Sequence, residues 1–391
     1  MVENILYSYM NEVVKNTPTS FHRYLYSQIE WEARMIGIVG PRGVGKSTML
    51  LQRIAETRGN GKTLYVTADN TYFANHSLLE LADDFVKDGG ECLYIDEIHR
   101  YQGWSRELKN MYDLHPTLQI VYTGSSILDL LDGEADLSRR TLHYSLQGLS
   151  FREFLELYYN VSTAARSLDE ILSHQAIIEG IEHPLPLFRE YLSEGYYPFS
   201  REPGFVQRMH QVVSQTVEND IPQYADMKIS TARKLKRLLS VIAGSAPYKP
   251  NALNLATEIG VSKNNIPDYL LYLEKAGMIG QLRDDTGGFR GLGKVEKVYV
   301  DNPTLCSVLA EGPVDIGNIR ETFFYNQTRV TLPVVASKKS DFTIGNYTFE
   351  VGGRNKGKKQ IAGLPNAYIV KDDIEYGSNN ILPLFTFGLL Y

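Results

Sequence analysis

The spacing of hydrophobic residues switches between two periods along the chain. Ile5, Leu6, Tyr9, Met10, Val13 and Val14 recur at helical spacing and predict a helical lead-in over residues 1–30. From residue 35 short, nearly continuous apolar runs take over, at 35–39, 63–67, 92–95, 118–123 and 141–146, with helical stretches between them. Apolar runs without alternation suit strands covered on both faces, and helical connections return the chain by right-handed crossovers. Residues 31–150 are therefore expected to form an α/β domain with a mostly parallel sheet covered by helices. Residues 151–230 are rich in aromatics and helical in period, broken by His183-Pro184, Pro186 and Tyr197-Pro198, and predict a helical lid. Residues 231–285 predict short helices followed by strand material. Strand-rich sequence returns over 286–391, and the Gly-rich stretch 286–293 is expected to be a wing or linker.

Chemistry enters where the first apolar run ends. Gly40-Pro41-Arg42-Gly43-Val44-Gly45-Lys46-Ser47 has the spacing G-x-x-x-x-G-K-[ST] between a strand and a helix, with Thr48 opening that helix. Such a loop curls its amides around phosphates at a helix N-terminus, so residues 40 to 48 are expected to bind ATP. Lys46 is placed to contact the β- and γ-phosphates, and Ser47 offers a hydroxyl to Mg²⁺. The run Glu91-Cys92-Leu93-Tyr94-Ile95 ends in Asp96-Glu97. Beside a P-loop, Asp96 is expected to hold the Mg²⁺ shell, and Glu97 to orient and deprotonate the attacking water. Ser125, closing the next strand in Thr123-Gly124-Ser125-Ser126, is either a hydroxyl near the γ-phosphate or part of a turn. Arg139-Arg140 is either a source of transition-state charge, in cis or from a neighbouring subunit, or a solvated basic turn.

Bulk properties narrow the class. The 391 residues exceed what one core usually spans, and 43% hydrophobic with 22% charged residues is a globular balance. A formal net charge of −6 gives no overall attraction to nucleic acid or to an acidic membrane surface. Two distant cysteines imply free thiols, and no apolar run is long enough to span a bilayer, so a cytoplasmic protein without a membrane partner is expected.

The chain resembles the prokaryotic AAA-type ATP-binding proteins, in which a P-loop core precedes a winged helix and a restriction-endonuclease-like C-terminal domain. The resemblance rests on residues 38–48, on Tyr94-Ile95-Asp96-Glu97-Ile98-His99, on Trp104 with Leu108-Lys109, on Thr123-Gly124-Ser125-Ser126, and on Leu149-Ser150-Phe151-Arg152-Glu153-Phe154. It implies a strand inserted between the P-loop strand and the acidic strand, and Arg140 as the arginine finger. Relatives often have Gly-Arg where this chain has Arg139-Arg140.

Two distal segments carry further expectations. Residues 253–279 have the helix, tight turn and second helix of a helix-turn-helix unit. Lys263, Asn264 and Asn265 suit base contacts, and Arg233, Lys234, Lys236 and Arg237 suit phosphates, but Pro267, Asp268 and Glu274 count against DNA reading. Toward the end, Asp341-Phe342-Thr343-Ile344, Gly345-Asn346, Tyr347-Thr348-Phe349-Glu350 predicts a two-residue hairpin that sets Asp341 opposite Glu350. Facing carboxylates ask for a cation, and a divalent metal on Asp341 and Glu350 would answer. The endonuclease-like resemblance implies the same pair with Glu321 as a third ligand, but it also implies a lysine where Gly352 stands. Arg354 and Lys356 have the parity to reach back, but arginine stays protonated and cannot serve as a base, so a degenerate, non-cleaving domain is favoured. The expectation is an Mg²⁺-dependent ATPase, with homo-oligomerisation left open, acting on a protein partner or DNA. The alternatives are an ATP-gated nuclease and a nucleotide switch with negligible turnover.

Overall fold

The computed structural model describes residues 2–57, 62–125, 137–225, 227–245, 247–285, 293–310, 314–357 and 359–391. The chain divides into two compact units, Met1–Gln147 and Gly148–Tyr391.

The first unit opens with α1 (Asn4–Lys15), whose Leu6, Met10 and Val14 are buried. Strands β1 (Met35–Gly40), β2 (Thr63–Thr67), β3 (Cys92–Asp96), β4 (Gln119–Ser125) and β5 (Leu142–Ser145) follow, with α2 (Lys46–Thr57), α3 (Leu78–Lys87) and α4 (Trp104–Leu114) between them. Among the described residues they form one parallel five-stranded sheet in the order β2-β3-β4-β1-β5. Every residue of β1 is buried, which is why its sequence is apolar without alternation. Helix α3 starts at a reciprocal cap between Ser77 and Glu80 and buries Leu78, Leu81, Ala82 and Phe85. The order sets β4 between β1 and β3, the insertion that the resemblance implied. The register pairs Gly40 with Ser125, Val39 with Ser145 and Thr67 with Asp96, so these strand ends lie along one edge of the sheet. Ligands of open parallel sheets bind beyond that edge.

The second unit begins with α5 (Phe151–Tyr159), capped reciprocally by Ser150 and Glu153. Helices α6 (Leu185–Glu194), α7 (Phe205–Gln215), α8 (Ile229–Ser245), α9 (Ala252–Ile259) and α10 (Ile266–Lys275) precede an antiparallel ribbon of β6 (Ile279–Arg283) and β7 (Val295–Val300). Pro267 lies in the first turn of α10, where its missing N–H costs no helical bond, so the helix starts early despite it. Lys234 donates to the Gly260 carbonyl at 2.8 Å and Lys236 pairs with Glu218 at 3.1 Å, which gives both an internal partner. The Gly-rich segment 286–292 lies outside the described residues.

Helices α11 (Pro303–Leu309) and α12 (Ile316–Thr328) then lead into a mixed sheet of β8 (Val334–Ala336), β9 (Phe342–Ile344), β10 (Tyr347–Gly352), β11 (Ala367–Lys371) and β12 (Ile381–Pro383), ordered β12-β11-β10-β9-β8. The β9–β10 hairpin pairs Tyr347 with Ile344, the register that its two-residue turn predicts. The segment expected as a lid shares a core with this sheet domain: Phe188 meets Phe323 at 4.8 Å, and Ser150 and Arg152 donate to the Tyr391 backbone oxygen at 2.7 and 2.9 Å. Among the described residues, no helix is long and apolar enough to cross a membrane.

Candidate functional site

The loop after β1 is built by glycine geometry. A Cβ on Gly40 would lie 2.2 Å from the Leu146 carbonyl oxygen, so only a bare backbone passes beneath the chain leaving β5. Gly43 and Gly45 adopt φ of 81° and 99°, a region that side chains rarely enter, and they turn the backbone inward before α2 begins at Lys46. Lys46 lies folded across this loop, its Nζ donating to the Gly40 and Pro41 carbonyls at 2.8 Å each. Ser47 is half-buried in the first turn of α2, Thr48 is exposed, and Val44 is sealed in the core.

Two supports come from the segment between α1 and β1. Buried Arg23 donates to the Val44 carbonyl and, at 2.7 Å, to that of Gln147. Gln52 of α2 donates to the Pro18 and Phe21 carbonyls, both at 2.8 Å. Sequence reasoning missed both, because each bonds to backbone far along the chain and leaves no local pattern.

The acidic pair sits at the end of β3. Asp96 is only 5% exposed, and both its carboxylate oxygens accept hydrogen bonds: Oδ2 from the Tyr65 hydroxyl at 2.8 Å, and Oδ1 from the Thr123 hydroxyl and the Glu97 amide. Burial, then the charge and hydrogen bond of Asp96, push the Tyr65 hydroxyl far above its ordinary pKa, so it remains a donor. Glu97 has the left-handed φ of 51°, and its amide also reaches the Thr123 hydroxyl at 3.0 Å. Its carboxylate lies 3.7 Å from Arg42 and 3.6 Å from Arg100. Left-handed backbone is strained for a glutamate, and such strain collects at functional sites.

Residues 32–155 match a family model described as an AAA domain, and residues 185–313 match one described as a domain of unknown function (DUF8612). An uncharacterized protein of Methanocaldococcus jannaschii is 25% identical over 268 residues, 63% of this chain and 56% of that protein; the match thus spans about half of the relative's length. Among solved structures, the Aeropyrum pernix ORC1 protein in complex with DNA aligns over 79% of this chain and 92% of its own, at 14% identity and a TM-score of 0.31. AMPPCP-bound DnaA from Aquifex aeolicus aligns over 70% and 90%, at 14% identity and a TM-score of 0.26. The parallel, helix-flanked sheet is the fold of a P-loop ATPase, and the AAA-domain match supports an ATP-binding ATPase.

The remaining candidates fall in different places. Ser125 is buried at the end of β4, beside Gly40 in the register and thus on the P-loop edge. Ser126 lies outside the described residues. Arg140 precedes β5, and Leu142 pairs with Ile36 near the start of β1, so Arg140 stands at the opposite edge of the sheet. Its guanidinium makes two 3.0 Å bonds to the Asp113 carboxylate. About 13 Å of strand separates that edge from the P-loop edge of the same sheet.

In the second unit Asp341 and Glu350 do not share one cation, whereas Asp341 and Glu321 meet on the same lysine. Asp341 lies just before β9; its Oδ1 accepts from Lys297 Nζ at 3.0 Å and its Oδ2 from the Val351 amide at 3.0 Å. Glu321 Oε2 accepts from the same Lys297 Nζ at 3.0 Å and from the Tyr299 hydroxyl at 2.8 Å. Glu350, fully buried, meets Lys356 Nζ at 2.5 Å and the Ser340 hydroxyl at 2.6 Å. Lysines thus stand where a metal on Asp341 and Glu350 was expected. Among the described residues, no group of three or more His, Cys, Asp or Glu side chains is arranged to hold a metal ion. The correction was partly open to counting, since Lys356 shares the parity of Glu350; Lys297 had no such signal.

Proposed function

We propose that the first unit binds ATP with Mg²⁺ and hydrolyses it, and that the nucleotide state acts through the second unit on a protein or nucleic-acid partner. The observation that carries this reading is the acidic pair at the P-loop edge, with Asp96 held by two hydroxyls and Glu97 on a strained backbone. The residues fit the groups they would hold. Gly40, Pro41, Arg42, Gly43, Val44 and Gly45 form the anion cradle, and the N-terminus of α2 at Lys46, Ser47 and Thr48 adds its dipole. Ser47 and Asp96 are the residues that would hold Mg²⁺, which would supply positive charge to offset that of the phosphates.

In this reading Lys46 exchanges the Gly40 and Pro41 carbonyls for the β- and γ-phosphates. Glu97 orients water and takes its proton, and Ser125 offers a hydroxyl to the γ-phosphate. Arg140 serves as a finger only for a neighbouring copy, because of the edge on which it stands. For the second unit we propose a lid over 151–230, a winged helix over 231–285 and an endonuclease-like, non-cleaving domain over 286–391. Three helices and a ribbon in the order of the winged motif support the second of these. A cytoplasmic location goes with this reading.

ATP turnover with and without single- and double-stranded DNA tests it, with Lys46→Ala as the blank. Wild type should turn over ATP, and Glu97→Gln should retain bound ATP while losing roughly 10²–10⁴-fold in rate. Nucleotide binding without turnover in wild type would leave a switch; no binding at all would end the proposal.

A further inference from the structure

The second unit carries a buried charge cluster that the ATPase reading does not use. Glu321 on α12 and Asp341 before β9 come together on one ammonium, Lys297 of β7, at 3.0 Å each. All three side chains are less than a fifth exposed, so water screens them little. Two carboxylates at that distance from one point need a positive charge between them. We propose that Lys297 is the resident cation of this cluster, occupying the position a divalent metal would take, and that these carboxylates bind no such metal while it is there.

Three features support a fixed rather than an exchangeable ammonium. Lys297 leads directly into Val298, Tyr299 and Val300, which are fully buried, so the strand cannot withdraw without breaking the core. Tyr299 stacks on Phe342 at 6.0 Å, and its hydroxyl shares Glu321 Oε2 with Lys297. Asp341 is further tied by the Val351 amide at 3.0 Å. The neighbouring Glu350 is balanced separately, by Lys356 at 2.5 Å and Ser340 at 2.6 Å. Lysine and Mg²⁺ are not interchangeable here. The ammonium donates up to three hydrogen bonds, whereas Mg²⁺ needs oxygens at ~2.0–2.1 Å in octahedral order and keeps several waters. With Lys297 Nζ at 3.0 Å from both carboxylates, the position such an ion would take is already filled.

The test uses the full chain carrying Asp96→Asn, without nucleotide, so that the carboxylate proposed to hold Mg²⁺ in the first unit is gone and the outcome is independent of the ATPase reading. Mn²⁺ is titrated by calorimetry and by thermal melting. With Lys297 present, Mn²⁺ should produce no shift that Asp341→Asn removes. Adding Lys297→Ala should create Mn²⁺ binding, with a melting point raised by roughly 5–10 °C at about a hundredfold excess over the dissociation constant. Asp341→Asn should then cancel the gain, and Lys297→Arg should not show it. Lys297→Met keeps the stem if the alanine variant fails to fold. Mn²⁺ stabilisation with Lys297 in place, abolished by Asp341→Asn, overturns the proposal outright. So does a folded Lys297→Ala or Lys297→Met protein that takes up no Mn²⁺. The arm with Lys297 present decides by itself if neither lysine variant folds.

Discussion

Tyr65→Phe removes one hydroxyl from the support of Asp96 and leaves the ring in place. Tyr65 is 4% exposed and Asp96 5%, so no water takes over the 2.8 Å bond to Oδ2. Hydrogen bonds to charged groups contribute about 1.5–3 kcal/mol, and that is the expected loss of stability. Oδ1 keeps Thr123 and the Glu97 amide, while Oδ2 loses its partner and the carboxylate is held from one side only. Removing a partner that orients a metal ligand costs roughly 10–100-fold in metal affinity or activity. The assay is ATP turnover against Mg²⁺ at saturating ATP. The Mg²⁺ concentration for half-maximal rate should rise roughly 10–100-fold, while nucleotide affinity in the absence of Mg²⁺ stays unchanged, because the P-loop contacts are untouched. The stack of Tyr9 on Tyr65, 6.3 Å between centroids, survives the change, so packing is not the variable. A variant that melts lower yet shows wild-type Mg²⁺ dependence would mean that the hydroxyl serves only the core.

Gly40→Ala places a methyl 2.2 Å from the Leu146 carbonyl oxygen, a backbone atom that cannot swing aside. Overpacking of this kind costs about 1–3 kcal/mol and should move the loop, so melting and ATP calorimetry should both register it; an unchanged melting point refutes the clash. Burial pushes the Cys92 and Cys306 thiols up to about 12 from an ordinary 9.0. At pH 8 only about one thiol in ten thousand is ionised, so iodoacetamide should label the denatured protein and spare the native one. The same shift makes their contribution to stability complete below about pH 9 and lost as pH rises toward 12, which alkaline melting curves check.

What was legible in the sequence was whatever neighbouring residues decide together. The fully buried β1 could only be an unbroken apolar run, and the glycines at 43 and 45 had to be glycine because their φ is positive. The Ile344–Tyr347 pairing followed from a two-residue turn. Partners supplied by distant strands were not legible. Tyr65 faces Asp96 because Thr67 pairs with Asp96 and alternation sets residue 65 at the same face, a deduction that needs the register first. Lys297 is 24 residues from Glu321 and 44 from Asp341, so the hairpin, which set Asp341 against Glu350, could not show that Asp341 meets Glu321 across a lysine.

Arg140 shows how much a strand's direction can decide once a sheet is known to be parallel. In such a sheet, residues that follow a strand gather at one edge and residues that precede one gather at the other. Gly40, Asp96 and Ser125 stand at or near the ends of β1, β3 and β4, whereas Arg140 precedes β5. Its bidentate grip on Asp113, just before the end of α4, fits that far edge. The proposal that this guanidinium stabilises charge is therefore a proposal about assembly, in which the phosphate it meets belongs to another copy of the chain.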